Sequence, residues 1–157
     1  MNKPTVLITG ISGFIAKHCA VEMLNAGCAV RGTVRSLQRA AEVRDSLARH
    51  ADVARLEFAQ ADLERDVGWN EAVAGCAHVL HVASPFPAKQ PSDEQELIRP
   101  AVQGTLRVMR AAAAAKVERL VQTSSMAAVA YGHARDRTAP FTEADWTQVE
   151  TPGVTAY

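Results

Sequence analysis

The chain has 157 residues, 48% of them apolar and 22% charged, with 17 basic side chains against 17 acidic ones. This is the composition of a folded domain with a sizeable core, and it excludes a disordered chain. The charge balance leaves no overall positive field to draw nucleic acid or an anionic membrane, and no apolar run approaches the roughly 20 residues needed to span a bilayer.

The predicted elements alternate along the chain. "TVLIT" (5–9) is a continuous apolar, β-rich run that suits a strand buried on both faces. A helix follows over 14–26, with Gly27 as its stop signal. "AVRGTV" (29–34) reads as a second strand, and 36–50 as an amphipathic helix with Ser36 at its N-cap. "VARLEFA" (53–59) is a third strand, and a short helix lies around 67–75. "AHVLHVA" (77–83) is a fourth strand. A long helix runs over 100–116, with Pro100 either its first residue or a kink within it. The alanines 111–115 read as a helix side packed close to a sheet. "VERLVQTSS" (117–125) is a fifth strand, and 126–157 is mostly loop. Strands alternating with helices define βαβ units, hence an α/β fold with a parallel sheet covered on both faces.

Cys19, Cys28 and Cys76 are odd in number and lack metal-ligand spacing. They read as free thiols of a reducing compartment. With no signal-peptide pattern at the N-terminus, the expected location is cytoplasmic. His18, His78 and His81 show no metal pattern; His78 and His81 face opposite sides of their strand and suit core packing. Trp146 is expected to anchor a loop, and Glu143 and Asp145 to serve a cap or turn.

Between the first strand and first helix lies "TGISGFIA", which places Gly10, Gly13 and Ala16 at the spacing G-x-x-G-x-x-A. Gly10 permits a tight turn, and Gly13 lets backbone approach a diphosphate at the helix N-terminus, where free N–H groups favour anions. Ala16 still allows close helix–strand packing. A glycine-rich turn without a ligand is the competing reading. In a nucleotide-binding βαβ unit the end of the second strand reads the adenosine ribose, an acidic residue selecting NAD and an arginine NADP. Here "RGTVRSLQR" has no acidic residue. Arg35 is the expected 2′-phosphate ligand and Arg39 a weaker second, so NADP(H) is the expected cofactor.

The loop resembles the TGxxGxxG/A loop of the short-chain dehydrogenases/reductases, specifically their extended, epimerase/dehydratase branch. "VRGTVR", "ADL", "HVASP", "PAVQGTLRVMRA" and "RLVQTSSMAAV" resemble the corresponding segments of dihydroflavonol reductases and cinnamoyl-CoA reductases. The resemblance covers essentially the whole chain. It implies a Rossmann-type doubly wound sheet in the order 3-2-1-4-5 and an NADP-binding domain over 1–157. It also implies cofactor contacts from Gly10, Ser12, Gly13, Phe14, Ile15, Arg35, Arg39, Asp62, Leu63, Val82, Ala83, Ser84 and Thr123. Asp62 would accept from the adenine amino group, although spacing alone equally suits a cap of the next helix.

By the same resemblance Ser125 is the catalytic serine, with Ser124 as fallback, and Tyr157 the tyrosine of Y-x-x-x-K. The lysine one helical turn further on would lie beyond Tyr157, so the chain is expected to be the cofactor half of a longer protein. The alternative is that Tyr157 is an incidental terminal residue. The implied activity is NADPH-dependent reduction of a small-molecule carbonyl, an oxidoreductase reaction; a homodimer of the full-length protein stays open. A sugar-nucleotide epimerase or dehydratase and a non-catalytic NADP-binding regulator are the alternatives. Arg35 argues against the first, and the presence of both Ser125 and Tyr157 against the second. Where dihydroflavonol reductases place an asparagine to hold the flavonoid, this chain has Ala130, which puts flavonoid reduction in doubt.

Overall fold

The computed structural model describes residues 4–85 and 93–154. The chain divides into two compact units, Met1–Gln122 and Thr123–Tyr157. The first holds all the strands among the described residues, β1 (Thr5–Ile8), β2 (Ala29–Val34), β3 (Leu56–Gln60), β4 (His78–His81) and β5 (Arg119–Gln122). They form one sheet in the order β3-β2-β1-β4-β5, and every neighbouring pair is parallel. The helices between them are α1 (Phe14–Asn25), α2 (Ala40–Ala48), α3 (Trp69–Val73) and α4 (Gln95–Ala114).

The sheet separates two cores. On one face Val6, Ile8, Val30, Val34 and Leu56 meet Ala16, Ala20 and Leu24 of α1 and Val43 and Leu47 of α2. On the other, Leu7 and Val79 meet Trp69, Ala72 and Val73 of α3 and Val108, Ala111 and Ala112 of α4. Two-sided burial is why β1 and β4 carry apolar residues without strict alternation. Ala111 and Ala112 are the part of the alanine run that faces the sheet, as expected of small residues at a close contact.

The ends of elements follow local chemistry. Gly27 adopts φ +81° and its N–H bonds Leu24 O, which closes α1 where the sequence predicts. Ser36 accepts from Gln38 N, but what it caps is a 3-10 turn over Leu37–Arg39 that leads into α2. The fourth predicted helix starts earlier than expected: α4 begins at Gln95, with Pro100 inside it. Proline there removes only one helical hydrogen bond near the N-terminal end, and the buried stripe of Gly104, Val108, Ala111 and Ala112 holds the rest. The predicted fourth and fifth strands are trimmed, because only their central residues find a ladder partner, and the third starts later than predicted and runs on to Gln60.

Among the described residues no helix is long and apolar enough to cross a membrane, and no group of His, Cys, Asp and Glu side chains could hold a metal ion.

Candidate cofactor site

The glycine loop lies at the carboxyl edge of the sheet, fastened on both sides. Gly10 takes φ +65°, and a Cβ there would stand 2.9 Å from the Ala83 Cβ. Both the conformation and the close approach require glycine. Gly10 N donates to Thr33 Oγ1 (2.9 Å), and Ile11 N to Thr33 O (3.1 Å), which ties the loop to β2. On the β4 side the Thr9 hydroxyl accepts from Val82 N (3.0 Å) and Ala83 N (2.9 Å). It also lies 2.8 Å from His81 Nδ1. With both lone pairs taken, the one hydroxyl proton goes to His81. Nδ1 is then the acceptor and the ring is neutral, in keeping with burial, which lowers the His81 pKa below the ordinary imidazole value. His78, by contrast, keeps a buried Nδ1 without a hydrogen-bond partner among the described residues.

The next glycine opens the helix. Gly13 is the N-cap residue of α1, and it has no side-chain cap and no acidic residue in the first turn. The first helical bond at this end is Lys17 N to Gly13 O (3.0 Å). The N–H groups of Ser12, Phe14, Ile15 and Ala16 therefore make no hydrogen bond among the described residues. Phe14 and Ile15 are exposed here, so the mouth of the helix is bare backbone flanked by apolar side chains. That arrangement favours an anion. Gly32, which the sequence reading passed over, makes the loop possible from below. A Cβ on Gly32 would fall 2.4 Å from Ile11 Cδ1 and 2.7 Å from Ile11 Cβ.

The ends of β2 and β3 frame a cleft of about 430 Å³ lined by Arg35, Gln60, Ala61, Asp62, Arg65 and Val67. Arg35 and Asp62, predicted separately, are thus brought to one cavity. Gln60 Nε2 donates to Arg35 O (3.0 Å) and fixes the backbone from which that arginine projects. Asp62 Oδ1 accepts from Glu64 N (3.1 Å), so the carboxylate also serves the turn that spacing alone suggested. The carbonyl of Leu63 is taken by Arg107, whereas its N–H makes no bond among the described residues and stays available. Arg39 does not line the cleft. Its guanidinium is paired with Glu42 (3.0 Å), and that hydrogen bond and charge lower the Glu42 pKa. An arginine and a glutamate three apart on a helix start are a legible pair, and this one was missed. Arg65 was missed too, because nothing in its spacing reports which way a turn residue faces.

The second unit carries Thr123 and the predicted serines. Thr123, Ser124 and Ser125 are exposed. Ser125 caps a 3-10 turn over Met126–Ala128, its oxygen accepting from Ala127 N (3.2 Å), which leaves the hydroxyl proton to donate elsewhere. Thr147 bonds back to this turn through its N–H to Ala128 O (2.9 Å). Asp145 accepts from Thr142 N (2.8 Å) and from Arg137 at 2.9 and 3.0 Å, and these bonds lower its pKa. The expected turn role of Asp145 is therefore met. Trp146 does not anchor the loop: the residue is 69% exposed, and the neighbours Asp145 and Thr147 supply the bonds instead. Tyr157 lies outside the described residues.

A parallel sheet in this order, with an uncapped helix opening at the first β–α loop, defines a nucleotide-binding domain of the Rossmann type. Residues 6–155 match the NAD dependent epimerase/dehydratase family, and the chain belongs to that family. It is 37% identical over 151 residues to a dihydroflavonol 4-reductase of Hordeum vulgare, covering 95% of this chain and 42% of that protein. It is 34% identical over 151 residues to a (2S)-flavan-3-ol-forming anthocyanidin reductase of Vitis vinifera, covering 96% and 44%. Among solved structures, yeast methylglyoxal/isovaleraldehyde reductase complexed with NADPH superposes with a TM-score of 0.78 at 27% identity, covering 92% of this chain and 44% of that one. Vestitone reductase of alfalfa gives 0.74 at 28%, covering 94% and 44%. The chain thus spans under half the length of these relatives, all of them reductases.

Proposed function

We propose that the protein is an NADPH-dependent reductase of aldehydes or ketones. The observation that carries this reading is the cleft at the ends of β2 and β3, where Arg35 and Arg65 stand beside Asp62 and no acidic residue ends β2. Two cations there suit a ribose 2′-phosphate, and Asp62 suits the adenine amino group. The open N–H groups of Ser12, Phe14, Ile15 and Ala16 suit the diphosphate. A relative of known structure complexed with NADPH supports the same choice.

When bound, NADPH would supply hydride to the carbonyl carbon. Ser125 would donate its hydroxyl proton as a hydrogen bond to the carbonyl oxygen and orient it. Tyr157 would release its phenolic proton to that oxygen as charge develops there, giving the alcohol, and would regain a proton from solvent. Gly13 would contribute by what it lacks, leaving room for the diphosphate, and Gly10 by allowing the tight turn against Ala83. The carbonyl class follows the yeast relative, named for methylglyoxal and isovaleraldehyde. Ala130 in place of an amide side chain speaks against a flavonoid substrate.

The test is NADPH oxidation by the full-length protein, followed at the nicotinamide absorbance, with methylglyoxal, isovaleraldehyde and a dihydroflavonol supplied in turn. Turnover of the small aldehydes, reduced by on the order of 10²-fold in Tyr157→Phe, is expected. Turnover with none of the carbonyls, or an unaffected Tyr157→Phe, would refute the reading.

A further inference from the structure

The turn that follows β3 is held from behind. Ala61 N still bonds Val34 O (3.1 Å), the last link to the sheet. Beyond it Arg65 N closes on Asp62 O (3.0 Å). A surface turn ordinarily leaves its carbonyls to water. Here three of them are claimed by side chains from the helices below. Trp69 of α3 is buried, and its Nε1 donates to both Asp62 O and Arg65 O at 3.1 Å. Arg107 of α4 donates through Nη1 to Leu63 O (2.8 Å), and its Nε is ion-paired with Asp66. One helical turn before Arg107 stands Gly104, where a Cβ would come within 2.9 Å of the Leu63 Cβ. The helix face is therefore shaped to admit Leu63 and then to grip its carbonyl.

We propose that Arg107 is a positioning residue for the adenosine end of the cofactor site, acting through the Asp62–Leu63 turn. This rests on the cleft beside that turn being the adenosine site. The Arg107 side chain is only 22% exposed and lines no part of the cleft, so it acts without touching the cofactor. It sets where the Asp62 carboxylate, the Leu63 N–H and the Arg65 guanidinium stand. Its second contact matters as well. Asp66 sits in sequence between the cleft residues Arg65 and Val67, and pairing with Arg107 offsets a carboxylate close to a proposed phosphate site.

The probes are 2′,5′-ADP, which engages only the adenosine end, and inorganic pyrophosphate, which engages only the glycine loop. Arg107→Met keeps an unbranched alkyl stem and removes both polar contacts. It should weaken 2′,5′-ADP about tenfold, the scale of losing aligned charged hydrogen bonds, and leave pyrophosphate within about twofold of wild type. Asp66→Asn removes the ion pair but leaves the bond to Leu63 O, and should bind 2′,5′-ADP almost as the wild type does. Arg107→Lys should fall between, and together with Asp66→Asn it carries the test if the methionine variant does not fold. Equal binding of 2′,5′-ADP by wild type and Arg107→Met would overturn the role of Arg107 alone. So would equal losses of both probes, or an Asp66→Asn loss as large as that of Arg107→Met. Failure of the wild type to bind 2′,5′-ADP would overturn the adenosine reading, and this proposal with it.

Discussion

Gly32→Ala should damage the cofactor loop from inside the core. The new Cβ would stand 2.4, 2.5 and 2.7 Å from Cδ1, Cγ2 and Cβ of Ile11. Rotating the Ile11 side chain can relieve the first two contacts but not the third, because Ile11 Cβ moves only with its backbone. Ile11 is fully buried, so rotation itself meets packed neighbours. The loop must therefore lift from β2, which strains the bonds from Gly10 N and Ile11 N to Thr33. Overpacking of this kind costs about 1–3 kcal/mol, which corresponds to a fall in Tm of roughly 2–12 °C for a domain of this size. Urea unfolding followed by circular dichroism reads it as a lower midpoint at unchanged slope. The cause is isolated by Ile11→Ala, which removes two of the three close atoms. Its own cost should be smaller by at least about 0.5 kcal/mol in the Gly32→Ala background than in wild type. If Gly32→Ala unfolds at the wild-type midpoint, or if the two substitutions simply add, the steric reasoning is wrong.

Two further outcomes follow from the site. Gly13→Val should lose NADPH binding by calorimetry while keeping a near-native Tm. Gly13 has an ordinary φ of −76°, and a Cβ there would meet a single carbonyl, Gly10 O, at 3.2 Å, but the side chain would stand where the diphosphate meets α1; normal binding would show that the phosphate lies elsewhere. Stability should also fall in acid through His81. Burial lowers its folded pKa, so the unfolded chain binds more protons between that value and about 6.5. The stabilisation is complete above about 6.5 and is lost as pH falls toward the folded value. Thermal melts between pH 7.5 and 5 should show this decline, and His81→Gln should flatten it; an unchanged slope would remove His81 as its source.

How much of this could be read from the sequence depended on the range of the interaction. β2 and the start of α1 were legible to the residue, because alternation, glycine and a run of apolar residues are local signals. Gly10 was legible because a left-handed turn at that place has few other solutions. Arg35 and Asp62 were each found by position, yet only the sheet order sets them in one cleft. Gly32 against Ile11 and Arg107 against Leu63 were not legible, since each links residues from different elements and neither leaves a pattern on its own strand or helix. The role of Trp146 was misjudged for a related reason: an aromatic residue in a loop is a good anchor only if something covers it, and Asp145 with Arg137 fastens this loop through hydrogen bonds instead.

The central claim, that the β2–β3 cleft selects a 2′-phosphate through Arg35, is tested most directly by fluorescence titration of NADPH and NADH at one fixed salt concentration. The wild type should bind NADPH at least about tenfold tighter, and Arg35→Ala should erase most of that difference, as expected for a charged hydrogen bond of about 1.5–3 kcal/mol. Equal affinities in the wild type, or a preference that survives in Arg35→Ala, would contradict it.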